Sequence, residues 1–215
     1  MPNEQSKASH RRLLDPRFSE RWFVGDGLDI GCGNDPIDVD VWPLCSSITP
    51  YDREIDPNHN AETLAGIDDG VFDFVHASHC LEHMTDPTEA LYAWLAVLKP
   101  GGFLIVTIPD WVMYESCQWP SRNNGDHKAA FTMDLERKRI AQRAGVPCYP
   151  MPDTVIGLPE CELEHITLLT THYNPLLFGT DQTQGPAECA IEFVLRKHLP
   201  DGQLERRIVA DPQQD

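Results

Sequence analysis

Apolar runs broken by glycine, proline and charge divide the chain into alternating short strands and helices. Gly27-Leu28-Asp29-Ile30-Gly31 reads as a short buried strand running into a glycine turn, and Ser47 to Tyr51, closed by Asp52, as a second strand. Val71-Phe72-Asp73-Phe74-Val75-His76 is apolar nearly throughout, the pattern of a parallel strand covered on both faces. A helix follows with a clear start: Asp86 caps, Pro87 suits the first helical position and Glu89 completes a capping-box spacing. Leu91, Trp94, Leu95 and Leu98 give it one apolar face, and Lys99-Pro100-Gly101-Gly102 ends it. Phe103-Leu104-Ile105-Val106-Thr107-Ile108 is then another buried strand, so this stretch is a right-handed strand-helix-strand crossover. Thr132 to Ala144 predicts a helix, Ile166 to Thr171 a strand and Ala187 to Arg196 a late strand.

The N-terminal 24 residues predict a helical segment over a pocket, with Leu13, Leu14, Phe18 and Trp22 at roughly helical spacing around Pro16; the first eight or so are polar and expected to be mobile. Residues 25–199 form the single α/β domain, and 200–215 are expected to be a frayed tail. An insertion around 147–164 holds four prolines and is expected to be an ordered loop, either a lid or the contact of a homodimer.

With 215 residues, 41% of them hydrophobic, one core stands without disulfide or metal support. No apolar run approaches the roughly 20 residues of a membrane span, and the polar N-terminus does not resemble a signal peptide, so a cytoplasmic protein is expected. Seven cysteines without a C-x-x-C pair read as reduced thiols. The formal net charge of −17 repels phosphate backbones and anionic membranes, so neither nucleic acid nor a membrane is expected as a partner; Arg11-Arg12 and Arg137-Lys138-Arg139 are the short basic exceptions.

A glycine turn at the carboxyl end of a strand lets the backbone approach a ligand closely. Alone, Gly31-x-Gly33 is weak evidence. Asp29-Ile30-Gly31-Cys32-Gly33, then Asp52, Phe72-Asp73-Phe74-Val75, Leu81-Glu82-His83 and Leu98-Lys99-Pro100-Gly101-Gly102 follow one another in the order of class I S-adenosylmethionine (SAM) dependent methyltransferases. The chain resembles that family over about residues 25–110, including the branch whose glycine turn continues into a proline, here Pro36. Around Ser121-Arg122-Asn123 and Asp126-His127-Lys128 it is similar to bacterial members that tailor small molecules or glycans. Asp35 stands where many members have a third glycine.

The resemblance implies a Rossmann-like seven-stranded sheet flanked by helices with the last strand antiparallel, SAM as cofactor, and roles for particular residues. Asp29 would organise the site near the methionine ammonium, with Gly31, Cys32, Gly33 and His76 around the cofactor. Asp52 would accept the ribose hydroxyls, since one carboxylate matches two vicinal hydroxyls. Asn60 and Ala61 stand where the adenine is read. A base is needed only if the acceptor must lose a proton, and His79, Asp110 and His127 are the candidates. Trp111, Tyr114 and Trp119 could wall a planar or cationic acceptor, or form a hydrophobic lid.

His79-Cys80-Leu81-Glu82-His83 also satisfies H-x-x-E-H, which on a helix would present two histidines to a metal. Such sites need a further ligand and belong to another fold, so no metal is expected. The leading expectation is biosynthetic methylation of an oxygen or nitrogen of a metabolite. Its rivals are aminocarboxypropyl transfer or cyclisation of SAM, both releasing methylthioadenosine, a non-catalytic SAM-binding partner, and a zinc hydrolase.

Overall fold

The structure is a computed structural model describing residues 4–200. The expected C-terminal tail falls, from residue 201, outside the described residues. Eight strands, β1 (Gly25–Ile30), β2 (Cys45–Tyr51), β3 (Phe72–Ser78), β4 (Leu98–Pro109), β5 (Ala130–Thr132), β6 (Cys148–Pro150), β7 (Cys161–Leu169) and β8 (Ala190–Lys197), alternate with four helices, α1 (Glu4–Arg12), α2 (Pro87–Ala96), α3 (Leu135–Arg143) and α4 (Asp153–Ile156). Six strands make the central sheet in the order β2-β1-β3-β4-β8-β7, and β5 and β6 form a separate parallel pair. β1 to β4 run parallel, while β8 is antiparallel to both neighbours, as expected for the last strand.

Among the described residues the sheet has six strands where seven were expected. The missing one would have to arise between Tyr51 and Phe72, but residues 52–71 form turns and carry Pro57, Gly66 and Gly70. Among the described residues β2 pairs only with β1 and is the sheet edge.

Residue pairing puts Asp29, His76, Ile105 and Val194 in one row across the sheet. On this face Phe74, Ile105 and Val194 pack against Phe18, Trp22, Phe23, Ile37 and Trp42. The N-terminal segment thus covers the sheet through α1 and a five-residue π-helical turn, Phe18–Trp22, and residues 4–8, expected to be mobile, belong to α1. The opposite face, with Leu28, Val75, Leu104, Val106 and Phe193, packs on Leu91, Trp94 and Leu95 of α2. That helix starts as its sequence dictates: the Asp86 carboxylate accepts the N–H groups of Thr88 and Glu89, and Pro87 occupies the first turn. It is shorter than expected, because Leu98 already pairs with Phe72 in β4.

α3 begins three residues later than its pattern suggests, since Asp134 caps it and Thr132 belongs to β5. β7 begins at Cys161, because Cys161 to Leu163 already pair with β8 across a bulge. The proline-rich insertion is ordered into β6 and α4, which pack beside β5 and β7.

Candidate active site

The strand order reverses between β1 and β3: the chain leaves β1 toward β2 on one side and β3 toward β4 on the other. In such sheets the ligand crevice opens at this point, beyond the strands' carboxyl ends. A cavity of about 760 Å³ lies there. Gly31, Asp52, Asn60 and Ala61 line one part of it; His79, Cys80, His83, Met84, Gly125, Asp126, His127 and Lys128 line another.

The glycine turn is dictated by space and torsion. Gly31 has φ +68°, and a Cβ there would lie 2.5 Å from Cys80 Sγ, so the turn and the segment after β3 pack without room for a side chain. Gly33, at φ +52°, has open space where a Cβ would stand. Its N–H donates to Asp52 Oδ2 at 3.0 Å, and Glu54 N donates to Asp52 Oδ1 at 2.8 Å, which fixes this carboxylate against the turn. Beyond it the loop is braced: His59 stacks on Tyr51 at 3.9 Å, the Tyr51 hydroxyl accepts from Asn60 N, and Trp94 Nε1 donates to the Ala61 carbonyl at 2.7 Å. Burial and the nearby Asp29 charge push the Cys32 thiol up to about 11, so it is a neutral side chain here.

Asp29 and His76 lie beneath the turn, both buried, and do not line the cavity. Asp29 Oδ2 accepts Ile37 N at 2.7 Å, which holds the chain emerging from the turn, and Asp29 Oδ1 lies 2.6 Å from His76 Nδ1. Arg12 Nη1 lies 2.9 Å from His76 Nε2. Arginine can only donate, so Nε2 accepts and the imidazole proton sits on Nδ1, donated to Asp29. Burial is the largest influence on His76 and keeps its pKa below 6.5, consistent with the neutral ring. Arg12 also donates to Glu192 at 2.8 Å and Thr107 at 2.9 Å, and Arg11 forks onto Glu192 at 2.7 and 2.9 Å. The basic pair Arg11-Arg12 is therefore directed inward, and no sequence signal links it to a glutamate some 180 positions away.

At the other end, the H-x-x-E-H segment is not a helix. His79 has φ +53°, a left-handed conformation rare for a side-chain-bearing residue, and only Leu81–His83 form a 3-10 turn. Glu82 is buried, its Oε1 lying 3.4 Å from His79 Nδ1 and 3.9 Å from His127 Nε2. Burial alone would raise the Glu82 pKa, but the surrounding His79, His83 and His127 hold it below the usual carboxylate value. His127 Nδ1 lies 2.5 Å from Oε1 of Glu115, also buried. Glu115 is a site residue that sequence reasoning missed; it meets His127 only because the 110–131 segment folds back on itself.

Asp110 is placed differently from the histidines. It is buried, its Oδ1 accepts Val112 N and Met113 N at 3.0 Å each, and it does not line the cavity. Burial pushes its carboxyl up to about 6. Trp111 and Trp119 pack with Ala130, Ala141, Val146 and Cys148 in a small core of their own, where Trp111 Nε1 donates to the Gln118 carbonyl. Tyr114 sits near Met113, Ala187 and Cys189, with its ring 5.7 Å from that of His127. None of these three aromatics lines the cavity.

A glycine turn at a switch point, an acidic residue closing the second strand against it, and an antiparallel final strand define the Rossmann-like fold of class I SAM-dependent methyltransferases. A family model described as "Methyltransferase domain" matches residues 5–147, and the chain belongs to that family. It is similar to the S-adenosylmethionine dependent methyltransferase of Mesorhizobium loti, with 15% identity, TM-score 0.55, and coverage of 88% of this chain and 98% of that one. It is also similar to a candidate S-adenosylmethionine dependent methyltransferase of Listeria monocytogenes, with 13% identity, TM-score 0.56, and coverage of 91% and 100%. An uncharacterised 37.1 kDa protein of transposon TN4556 from Streptomyces fradiae is 27% identical over 139 residues, which are 52% of this chain. The match spans 40% of that relative's length. The turn would suit the SAM named for the Mesorhizobium loti and Listeria monocytogenes structures: Gly33 leaves open space and the Asp52 carboxylate borders the cavity.

Proposed function

We propose that the protein transfers the methyl group of SAM to an oxygen or nitrogen of a small-molecule metabolite. The observation that carries this reading is a single cavity joining the Gly31 and Asp52 end to the His79 and His127 end. Its volume falls within the roughly 300–1,000 Å³ of small-molecule sites. Asp52 would accept the ribose hydroxyls, Asn60 and Ala61 would border the adenine, and Asp29 and His76 would act through the turn they hold.

Methyl transfer is an in-line displacement: the acceptor lone pair forms the new bond to carbon as the carbon–sulfur bond breaks, and the sulfonium leaves as a neutral thioether. The protein therefore has to align the reactants and exclude water. His79 is the preferred base for an acceptor proton, because it lines the cavity and buried Glu82 orients its ring. Asp110 is less suited, since its Oδ1 is engaged by two backbone N–H groups. Trp111 and Trp119 serve better as a packed support than as an acceptor wall.

With Arg11 and Arg12 bonded internally, the acidic chain offers little to a phosphate backbone. Among the described residues no helix is long and apolar enough to cross a membrane, and we take the protein as cytoplasmic. A homodimer remains part of the proposal. The test is incubation with SAM and a metabolite extract, followed by mass analysis. S-adenosylhomocysteine and an acceptor one methylene heavier are expected; methylthioadenosine would indicate non-methylating chemistry and overturn the reading.

A further inference from the structure

The acceptor end of the cavity holds a cluster that methyl transfer itself does not require. Glu82, His83 and His127 each offer a ligand atom, and these atoms lie within 4.8 Å of one another. Ligands bound at about 2.1 Å to one tetrahedral ion stand about 3.4 Å apart, so small side-chain rotations close this triad.

Two further features point to a ligand. Both histidines are held by their Nδ1 atoms: His127 against the buried Glu115 carboxylate at 2.5 Å, His83 against the Asp126 carbonyl at 3.3 Å. Each Nδ1–H donated in this way leaves Nε2 as a lone pair, and a carboxylate behind a histidine is the usual support of a metal-ligating imidazole. In addition, Glu82 Oε2 is buried without a hydrogen-bond partner, although Glu82 is only 1% exposed. A buried carboxylate with one orphaned oxygen, clustered with two imidazoles, lacks a cation.

We propose that Glu82, His83 and His127 form a binding site for a divalent transition ion of the zinc class, at the acceptor end of the cavity. Two imidazoles and one carboxylate suit such an ion and leave one coordination position open toward the cavity. No metal was expected from the sequence, where H-x-x-E-H pairs His79 with His83; in the structure the set is Glu82 and His83 with His127, brought in by the loop before β5. The inference rests on the methyltransferase reading in one respect, the role of the ion. It would bind an acceptor hydroxyl at the open position and lower its pKa, so the acceptor class becomes an alcohol or phenol. Its proton would pass to a base such as His79, and the oxygen would bond the methyl carbon as the carbon–sulfur bond of SAM breaks, releasing S-adenosylhomocysteine.

The test is titration of chelator-treated full-length protein with Zn²⁺ alone against a competing indicator, with S-adenosylhomocysteine binding measured on the same preparation. One equivalent bound in the micromolar range or tighter is expected. Glu82→Gln and the more accessible His83→Ala should each weaken Zn²⁺ at least tenfold while still melting cooperatively in metal-free buffer. Should Glu82→Gln fail to fold, His83→Ala alone decides. Saturation only at millimolar Zn²⁺, or tight binding that survives both substitutions, overturns the proposal. The histidines would in the first case serve as a proton relay between carboxylates. S-adenosylhomocysteine binding without Zn²⁺ binding removes only the metal site; Zn²⁺ binding without S-adenosylhomocysteine binding removes the cofactor reading instead.

Discussion

Glu192→Gln tests how the N-terminal segment is fastened to the sheet under the cofactor turn. Glu192 is fully buried on β8 and accepts three N–H groups, two from Arg11 and one from Arg12, at 2.7 to 2.9 Å. Burial alone would raise its carboxyl, but the Arg12 charge and the Arg11 bonds overcome this and hold it down at about 2, against 4.5 unperturbed. That lowering corresponds to about 3 kcal/mol of stability at neutral pH. Substitution by glutamine also leaves Arg12, which has no exposed surface, as a buried cation without its carboxylate, a situation that costs about 3–5 kcal/mol. These two figures describe the same interaction and do not add. Urea unfolding should therefore show a loss of about 3–5 kcal/mol, or roughly 10 °C in melting temperature for a domain of this size. The carboxylate's contribution is present above pH 4.5 and lost as pH falls toward 2, so the gap between wild type and Glu192→Gln should narrow across that window. A loss under about 1 kcal/mol at pH 7, or a gap that does not change with acidity, would refute the reasoning.

Three other outcomes follow from the geometry. Gly31→Ala places a Cβ 2.5 Å from Cys80 Sγ at a positive φ, and should lower stability by about 1–3 kcal/mol in thermal melts; an unchanged melt would show that the turn is not so constrained. Asp110→Asn should stabilise the protein by up to about 3 kcal/mol at pH 7 and leave it unchanged near pH 3.5, because its raised carboxyl disfavours the fold progressively from pH 3.8 through about 6; equal effects at both pH values would count against this. His79→Gln should lower kcat more than KM and remove the acidic limb of the pH–rate profile, whereas a profile unaltered in shape would assign the proton to another group.

What could be read in the sequence was what local chemistry determines. The cap at Asp86-Pro87 and the apolar run of β3 each rest on neighbouring residues, and each stands where it was expected, whereas Gly101 and Gly102, expected to stop the helix ahead of the next strand, lie within β4. The seventh strand was expected from resemblance alone; the 52–71 stretch has the turn residues and lacks the apolar run a strand needs. Long-range polar pairing left no trace in the pattern. Arg12 and Glu192, or His127 and Glu115, meet through topology, and nothing about an arginine in an N-terminal helix reveals that it faces inward. The aromatics after β4 show the same limit from the other side. Trp111 was placed near an acceptor by its position in the chain, but its indole N–H bonds to the Gln118 carbonyl and its ring belongs to a separate small core. His79 stands just past β3 and lines the cavity, while its left-handed backbone and the 3-10 turn after it replace the helix that H-x-x-E-H suggested.

The central claim is that the Gly31–Gly33 turn and Asp52 together seat the cofactor. Calorimetric titration of S-adenosylhomocysteine into wild type and Asp52→Ala tests it most directly, with melting temperatures confirming that both are folded. The expected result is stoichiometric binding by wild type and an affinity at least tenfold weaker in the variant, equivalent to about 1.4 kcal/mol or more. Equal affinity in two folded proteins would contradict the account.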